Sequence, residues 1–456
     1  MPDGASNAPT EPAPAQAADA AGAASLPWAR RWWARAQAAL GVHGVAFRRL
    51  MASDALMLLG LMVGQVAVPW WVARDGGAAD LAVYGVVSAL TSVAGTLLLS
   101  PLGDRHAKRV LIGAGLFAYA LGATGLALMA TLHAYRLPAL LALSAAGVLA
   151  MALINPLSVS LVSELVPAAS LPDAISLQQG AQSTGRLIGP TIGGLLLAAA
   201  GIATALWLHA ALLALAGFFA LRLPRTHTAR ARQRSWWTEL REGLRANWAI
   251  PIERSWTLVN GLGWLFLLPA FTMLVPLKVQ SLHGSAIWLG LCEASLSLGM
   301  LVGALGLSSW VVRRAGRYRT RVGGAVLQGV GLALVGFTHS PWLMLVGFMT
   351  AGVTNSAIAL VGLTHRTLAR PPAFRARMFA SSSMTIQLAG SLGPAAAGAA
   401  LLHWPVQWVY TVFGLAAGAA SLALAFVPGF KAMMALEPHE VDGWYGRAYP
   451  QAFPTE

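Results

Sequence analysis

Cysteine is all but missing from this chain: Cys292 is the only one in 456 residues. No disulfide can form within one molecule, and no thiolate metal site can be assembled. Charge is scarce as well. Asp, Glu, Lys and Arg make up only 11% of the residues, against about 25% in soluble globular domains, so the groups that keep a folded surface in water are few. The phosphate-cradling pattern Gly-x-x-x-x-Gly-Lys-Ser/Thr does not occur, so nothing points to ATP as an energy source. His-Glu-x-x-His and Gly-x-Ser-x-Gly are missing too, which argues against an intramembrane enzyme. His209 and His365 have no metal-ligand spacing, and neither a metal nor a cofactor is expected. Residues 1–27, rich in Ala and Pro, lack the basic start and apolar core of a signal peptide and are expected to be disordered.

What the chain has in abundance is apolar length. Hydrophobic residues make up 57% of it, with a mean hydropathy of +0.62. Runs of about 18 or more apolar residues read as membrane-spanning helices. Twelve such segments are predicted. The first six are 50–72, 81–102, 110–132, 137–162, 173–199 and 204–222. The second six are 256–277, 285–311, 322–339, 341–364, 378–401 and 406–427. The expected fold is an all-α membrane protein of two pseudo-symmetric six-helix bundles, over 50–222 and 256–427. A Trp/Arg segment over 28–49 suits a membrane interface. Residues 223–255 form a linker in which Trp236, Leu240, Leu244 and Trp248 recur every four residues, predicting an amphipathic helix on the membrane surface. Residues 428–456 read as a polar tail.

The net charge of +14 would suggest nucleic acid in a soluble protein. Here the basic residues sit in short blocks between apolar runs. With both termini in the cytoplasm, 27 of the 31 Lys and Arg fall on that side. Only Arg74, Arg136 and Lys278 lie near the other face, and Arg186 lies within a span. This asymmetry predicts a multi-pass inner-membrane protein with cytoplasmic termini, binding lipid and no nucleic acid.

The loop after the second segment reads Pro101-Leu102-Gly103-Asp104-Arg105-His106-Ala107-Lys108-Arg109. Gly103 permits a tight turn. Asp104 can face the positive end of a helix, while Arg105, Lys108 and Arg109 hold the loop at the lipid surface. The loop resembles the Gly-x-x-x-Asp-Arg-x-Gly-Arg-Arg motif of the major facilitator superfamily, with Ser100 and Ala107 standing where that motif has glycines. In the fifth segment, Gly185, Gly189 and Gly193 lie four apart and share one helical face, on which a neighbouring backbone can approach closely. Pro190 bends the helix there, and Gly194 completes a pattern that resembles the antiporter motif of drug-exporting facilitators. The eleventh segment repeats it more weakly as Gly393-Pro394 with Gly398, and Asn155 pairs with Asn355 at an offset of 200. These echoes suggest a duplicated half. The stretch from Glu164 to Ile175, Glu242-Gly243-Leu244-Arg245 and Val66-Ala67-Val68-Pro69-Trp70 look like the enterobactin exporter and macrolide efflux group.

Ionisable groups inside a membrane are functional candidates by default. Arg186 and Glu293 are the leading candidates for substrate binding and proton coupling. Asp54 is the third, although it reads better as a carboxylate at the positive start of a helix. Gln65, Asn155, Gln182, Asn260, Asn355 and Gln387 are candidates to line a central cavity, or to bond between helices. The resemblance implies a monomeric secondary transporter exporting a small siderophore-like or amphipathic molecule by alternating access, with protons as the coupling ion. Multidrug or macrolide efflux, import and lipid flipping are the alternatives on the same fold. The fourth segment lacks the buried Arg that many proton-coupled drug antiporters carry.

Overall fold

A computed structural model describes residues 44–99, 107–166, 171–224 and 236–453, and among these every regular element is helical. The described residues begin with four helices: α1 (Gly44–Asp75), α2 (Gly77–Leu99), α3 (Lys108–Thr131) and α4 (Leu137–Leu165). The disordered tail and residues 28–43 of the Trp/Arg segment lie outside the described residues. Residues 44–49 of that segment belong to α1, so this first helix starts before the predicted 50.

The predicted segments 173–199 and 204–222 form one 51-residue run, α5 (Leu171–Leu221). Gly201 breaks it with φ 80° and ψ 177°, a conformation outside the helix that only glycine adopts without strain. After α6 (Trp236–Ala249) comes α7 (Pro251–Thr272), which bends by 43° into α8 (Leu274–Ser281) just past Pro269. The next span is α9 (Ala286–Val302), a π-helical turn over Gly303–Leu307, and α10 (Ser308–Ala315). Then follow α11 (Arg317–Phe337), α12 (Pro341–Ala369), α13 (Arg375–Ser391), α14 (Gly393–Leu401) and α15 (Val406–Leu422). Nine of the described helices are long and apolar enough to cross a membrane, or ten if the bent α7–α8 pair is one span. The chain is therefore an all-α, multi-pass membrane protein.

Packing divides the molecule into three cores. One draws Val63–Ala73, Leu126, Leu140 and Leu197 from the N-terminal half together with Leu274, Leu289, Phe348, Ala397 and Tyr410 from the C-terminal half. At the opposite end of the helices the core splits. One part contains only N-terminal residues, such as Phe47, Ile112, Leu161 and Leu213. The other contains only C-terminal ones, such as Trp256, Val361, Met378 and Phe430. The split end is where α3 begins at Lys108, α11 at Arg317 and α13 at Arg375, so it carries most of the basic residues. Among the described residues, the buried apolar cluster at one end thus draws on both halves, whereas the clusters at the basic end each draw on one.

Two peripheral segments depart from expectation. Helix α6 forms as predicted, but it docks by its small and polar side rather than by its apolar stripe. Gly243 lies against the Arg377 carbonyl, and Asn247 Nδ2 donates to the Met378 carbonyl at 2.9 Å and to Ser381 Oγ at 2.6 Å. Leu244 and Trp248 stay exposed, free for a lipid surface. The polar tail also folds. Phe430, Met433, Met434, Val441 and Tyr445 are all buried, in the core at the basic end of the C-terminal half. Its apolar residues sit in helices α16 (Phe430–Ala435), α17 (Pro438–Val441) and α18 (Trp444–Ala448), too short to show a helical period.

Candidate functional site

The glycine face of α5 meets α1. A β-carbon added at Gly185 would lie 3.0 Å from Leu58 Cδ2, one at Gly189 would lie 2.5 Å from Met62 Cβ, and one at Gly193 would lie 3.2 Å from Val63 Cα. These glycines set how closely the two helices approach. Gly194 points to a second face and meets the other half of the chain. A β-carbon there would sit 2.9 Å from Gly290 Cα, and one at Gly290 would sit 2.6 Å from the Pro190 carbonyl oxygen. The repeat of the motif behaves alike. Pro394 lies against Gly85, where a β-carbon would be 2.6 Å from Pro394 Cβ, and Gly398 abuts Ala82. Both Gly-Pro motifs therefore sit where one half seals against the other, α5 against α9 and α14 against α2.

Of the gate-loop residues, Gly103, Asp104 and Arg105 lie outside the described residues. Lys108 and Arg109 open α3, and Arg109 Nη1 donates to the Leu223 carbonyl at 3.1 Å, tying α3 to the chain just after α5.

Asp54 is not at a helix start. It lies in the third turn of α1, 3% exposed, and accepts a 2.6 Å hydrogen bond from Gln178 Nε2 on α5. The unrecognised helix start at Gly44 is the reason for this correction, and the helix-terminus explanation of Asp54 is withdrawn with it. Arg186 belongs to α5, with its side chain outside the described set. Glu293 is partly buried on α9, one residue from buried Cys292. Among the described side chains no cation lies within ion-pair distance of it. Gln65, Asn155 and Gln387 are exposed and Gln182 is half-buried. Asn260 and Asn355 come together from α7 and α12 in a polar pocket of about 60 Å³ shared with Gln328 and Arg321.

Sequence reasoning missed the most heavily bonded carboxylate among the described residues. Glu253, in the first turn of α7, is fully buried. It accepts from Arg366 Nε at 3.0 and 3.1 Å, from Arg370 Nη2, and from the Tyr445 hydroxyl at 3.0 Å. Arg366 also donates to Thr257 Oγ1 at 2.6 Å and lies over the Trp256 ring. Burial and the adjacent carboxylate push the Tyr445 hydroxyl far above its ordinary pKa, so it stays a donor. Arg366 and Arg370, one helical turn apart, belong to the basic residues that by sequence alone read as topology signals. Their four-residue spacing opposite a lone Glu was the available signal.

Glycine-sealed contacts between the halves, beside a core that both of them share, suit a transporter that opens to one side at a time. The comparisons with known proteins agree with this. The sequence profile of the Major Facilitator Superfamily matches residues 50–327, more than half of the chain. The chain is 28% identical over 351 residues to the multidrug efflux pump Tap of Mycolicibacterium fortuitum, covering 73% of this chain and 83% of that one. Among solved structures, the nucleoside transporter NupG superposes with a TM-score of 0.65 at 16% identity, covering 86% of this chain and 100% of that one. A bacterial homologue of the human lysosomal transporter Spinster, in an inward-facing and unoccupied conformation, gives 0.60 at 15% identity over 91% of this chain and 98% of that one. This chain belongs to the Major Facilitator Superfamily and is a secondary transporter that moves small molecules across a membrane by alternating access, not an enzyme.

Proposed function

We propose that the protein exports small amphipathic organic molecules across the inner membrane, from a cleft open at its basic, cytoplasmic end. The observation that carries this reading is the division into one shared core and two separate ones. It supports a seal at the end away from the basic residues, and a transporter in that state takes substrate from the basic side. The distant likeness to an efflux pump supports the export direction. A siderophore-like or macrolide substrate is the narrower form of the same proposal.

Twelve spans in two six-helix bundles are part of it. The ten spans counted above become eleven when α5 is divided at Gly201, and twelve when α13 and α14, which abut at Leu392, are taken as one broken span. The paired α5–α9 and α14–α2 contacts support the duplication. Arg186 would bind an anionic group of the substrate, Glu293 would exchange a proton as the cleft changes sides, and the working unit would be a monomer. Gln65, Asn155 and Gln387, exposed on apolar helices, suit a wet cleft better than lipid.

Accumulation of a fluorescent amphipathic dye in a pump-deficient host tests the direction. Cells expressing the protein should hold less dye than cells expressing an inserted but inactive variant. Higher dye content would mark an importer and overturn the proposal.

A further inference from the structure

Arg321 is the fifth residue of α11 and only 3% exposed. Its Nη2 donates to Asn260 Oδ1 on α7 at 2.8 Å, while its Nε and Nη1 are buried with no hydrogen-bond partner. A guanidinium does not readily lose its proton, and a buried charge needs an opposite one beside it. The only carboxylate buried at this end of the C-terminal half, among the described residues, is Glu253. That carboxylate is already taken by Arg366, Arg370 and Tyr445. Glu242, Glu437 and Asp442 pair with Arg377, Arg317 and Arg375. Among the described residues there are thus three buried guanidiniums in this half, Arg321, Arg366 and Arg370, and one buried carboxylate, which contacts only the last two, so the unbalanced positive charge falls on Arg321.

The unpaired guanidinium lines the pocket of about 60 Å³ that Asn260, Gln328, Asn355 and Ser421 share with it. Asn355 and Ser421 bring further groups able to donate, from α12 and α15. Trp264, Leu267 and Ile358 supply apolar walls. Pockets for drug-sized ligands run to about 300–1,000 Å³, so this space suits a single compact ion or one functional group. One uncompensated positive charge calls for one negative charge.

We propose that this pocket is a binding site for a compact monovalent anion, with Arg321 as its principal ligand and Asn355 and Ser421 as supporting donors. The ion is either free chloride or the carboxylate of a small organic acid. Both offer the same chemistry to the guanidinium, and both restore charge balance inside the C-terminal half. The site is separate from the proposed export of amphipathic molecules and does not depend on it.

The test uses the purified full-length protein in detergent, with thermal unfolding followed in sodium chloride, sodium acetate and sodium gluconate at equal ionic strength. Gluconate is the bulky reference anion. Chloride or acetate should raise the melting temperature saturably by about 2–4 °C over gluconate. A response to chloride assigns the free ion, and a response to acetate alone assigns a carboxylate. Arg321→Gln should abolish the difference between salts, and the exposed control Arg313→Gln should keep it. Should Arg321→Gln fail to fold, Ser421→Leu fills the pocket while leaving the guanidinium, and it should lose the response as well. Equal melting temperatures in all three salts, or an undiminished chloride or acetate response in a folded Arg321→Gln or Ser421→Leu protein, would overturn the proposal.

Discussion

Gly290→Ala puts the seal between the two halves to a quantitative test. A β-carbon at 290 would lie 2.6 Å from the Pro190 carbonyl oxygen and 3.0 Å from Gly194 Cα. Both obstacles are backbone atoms, so no side chain can swing away and α5 and α9 must separate. Overpacking of this kind costs about 1–3 kcal/mol. The cost falls only on the state in which the two helices touch, so it acts as a population shift. At about 1.4 kcal/mol per tenfold, it disfavours the sealed state by roughly 5- to 150-fold.

Cys292 lies two residues further along α9, is 1% exposed and is the chain's only thiol. Its alkylation by a membrane-permeant maleimide reports opening of the seal, because thiol reactivity requires access. Gly290→Ala should speed labelling of the folded protein toward the range just given. Gly122→Ala is the matched control, because its β-carbon would lie 2.8 Å from the Leu143 carbonyl oxygen inside the N-terminal half. It should lower stability without selectively exposing Cys292. An unaltered labelling rate in monodisperse Gly290→Ala protein would refute the idea that this contact opens during the cycle.

Gly189→Leu, whose first added carbon meets Met62 at 2.5 Å, should leave an inserted protein that no longer transports; normal dye efflux by a well-expressed variant removes the α1–α5 face from the mechanism. Glu253→Gln strands Arg366 and Arg370 without their carboxylate and should cost about 3–5 kcal/mol, read as a collapsed monodisperse peak in size-exclusion chromatography or a melting point several degrees lower. A wild-type melting point there would show the cluster to be dispensable. Arg186→Gln should weaken transport of anionic substrates before neutral ones, and Arg186→Glu combined with Glu293→Arg should stay inactive. Recovery in that double variant would reveal a permanent ion pair instead.

Much of the architecture could be read before any coordinates because a bilayer is a demanding solvent. Each span must satisfy its own backbone and present an apolar surface, so a run such as 110–132 declares itself by composition alone. The predicted segments accordingly overlap α1 to α4, α11, α12 and α15, with ends that differ by at most six residues among those described. The four-residue spacing of Gly185, Gly189 and Gly193 likewise announced a close helix contact, since small residues have few other reasons to align on one face. Local composition could not say that this face meets α1, or that Gly194 one residue on meets Gly290 of the other half.

The tertiary structure alone decided where the charges go. Arg366 and Arg370 read as positive-inside markers until α7 brings Glu253, more than a hundred residues earlier, against them. Arg321 read as part of a cytoplasmic loop, and packing of α7, α12 and α15 around it turned it into a buried cation. Asp54 reads as a helix terminus by sequence, yet α1 extends back to at least Gly44, and the stretch that reads as a polar tail supplies Phe430 and Tyr445 to a buried core. Hydropathy sums over a window and sees what one helix needs from lipid. A buried ion pair depends on which two helices face each other, and the distance between them in space bears no relation to their distance along the chain.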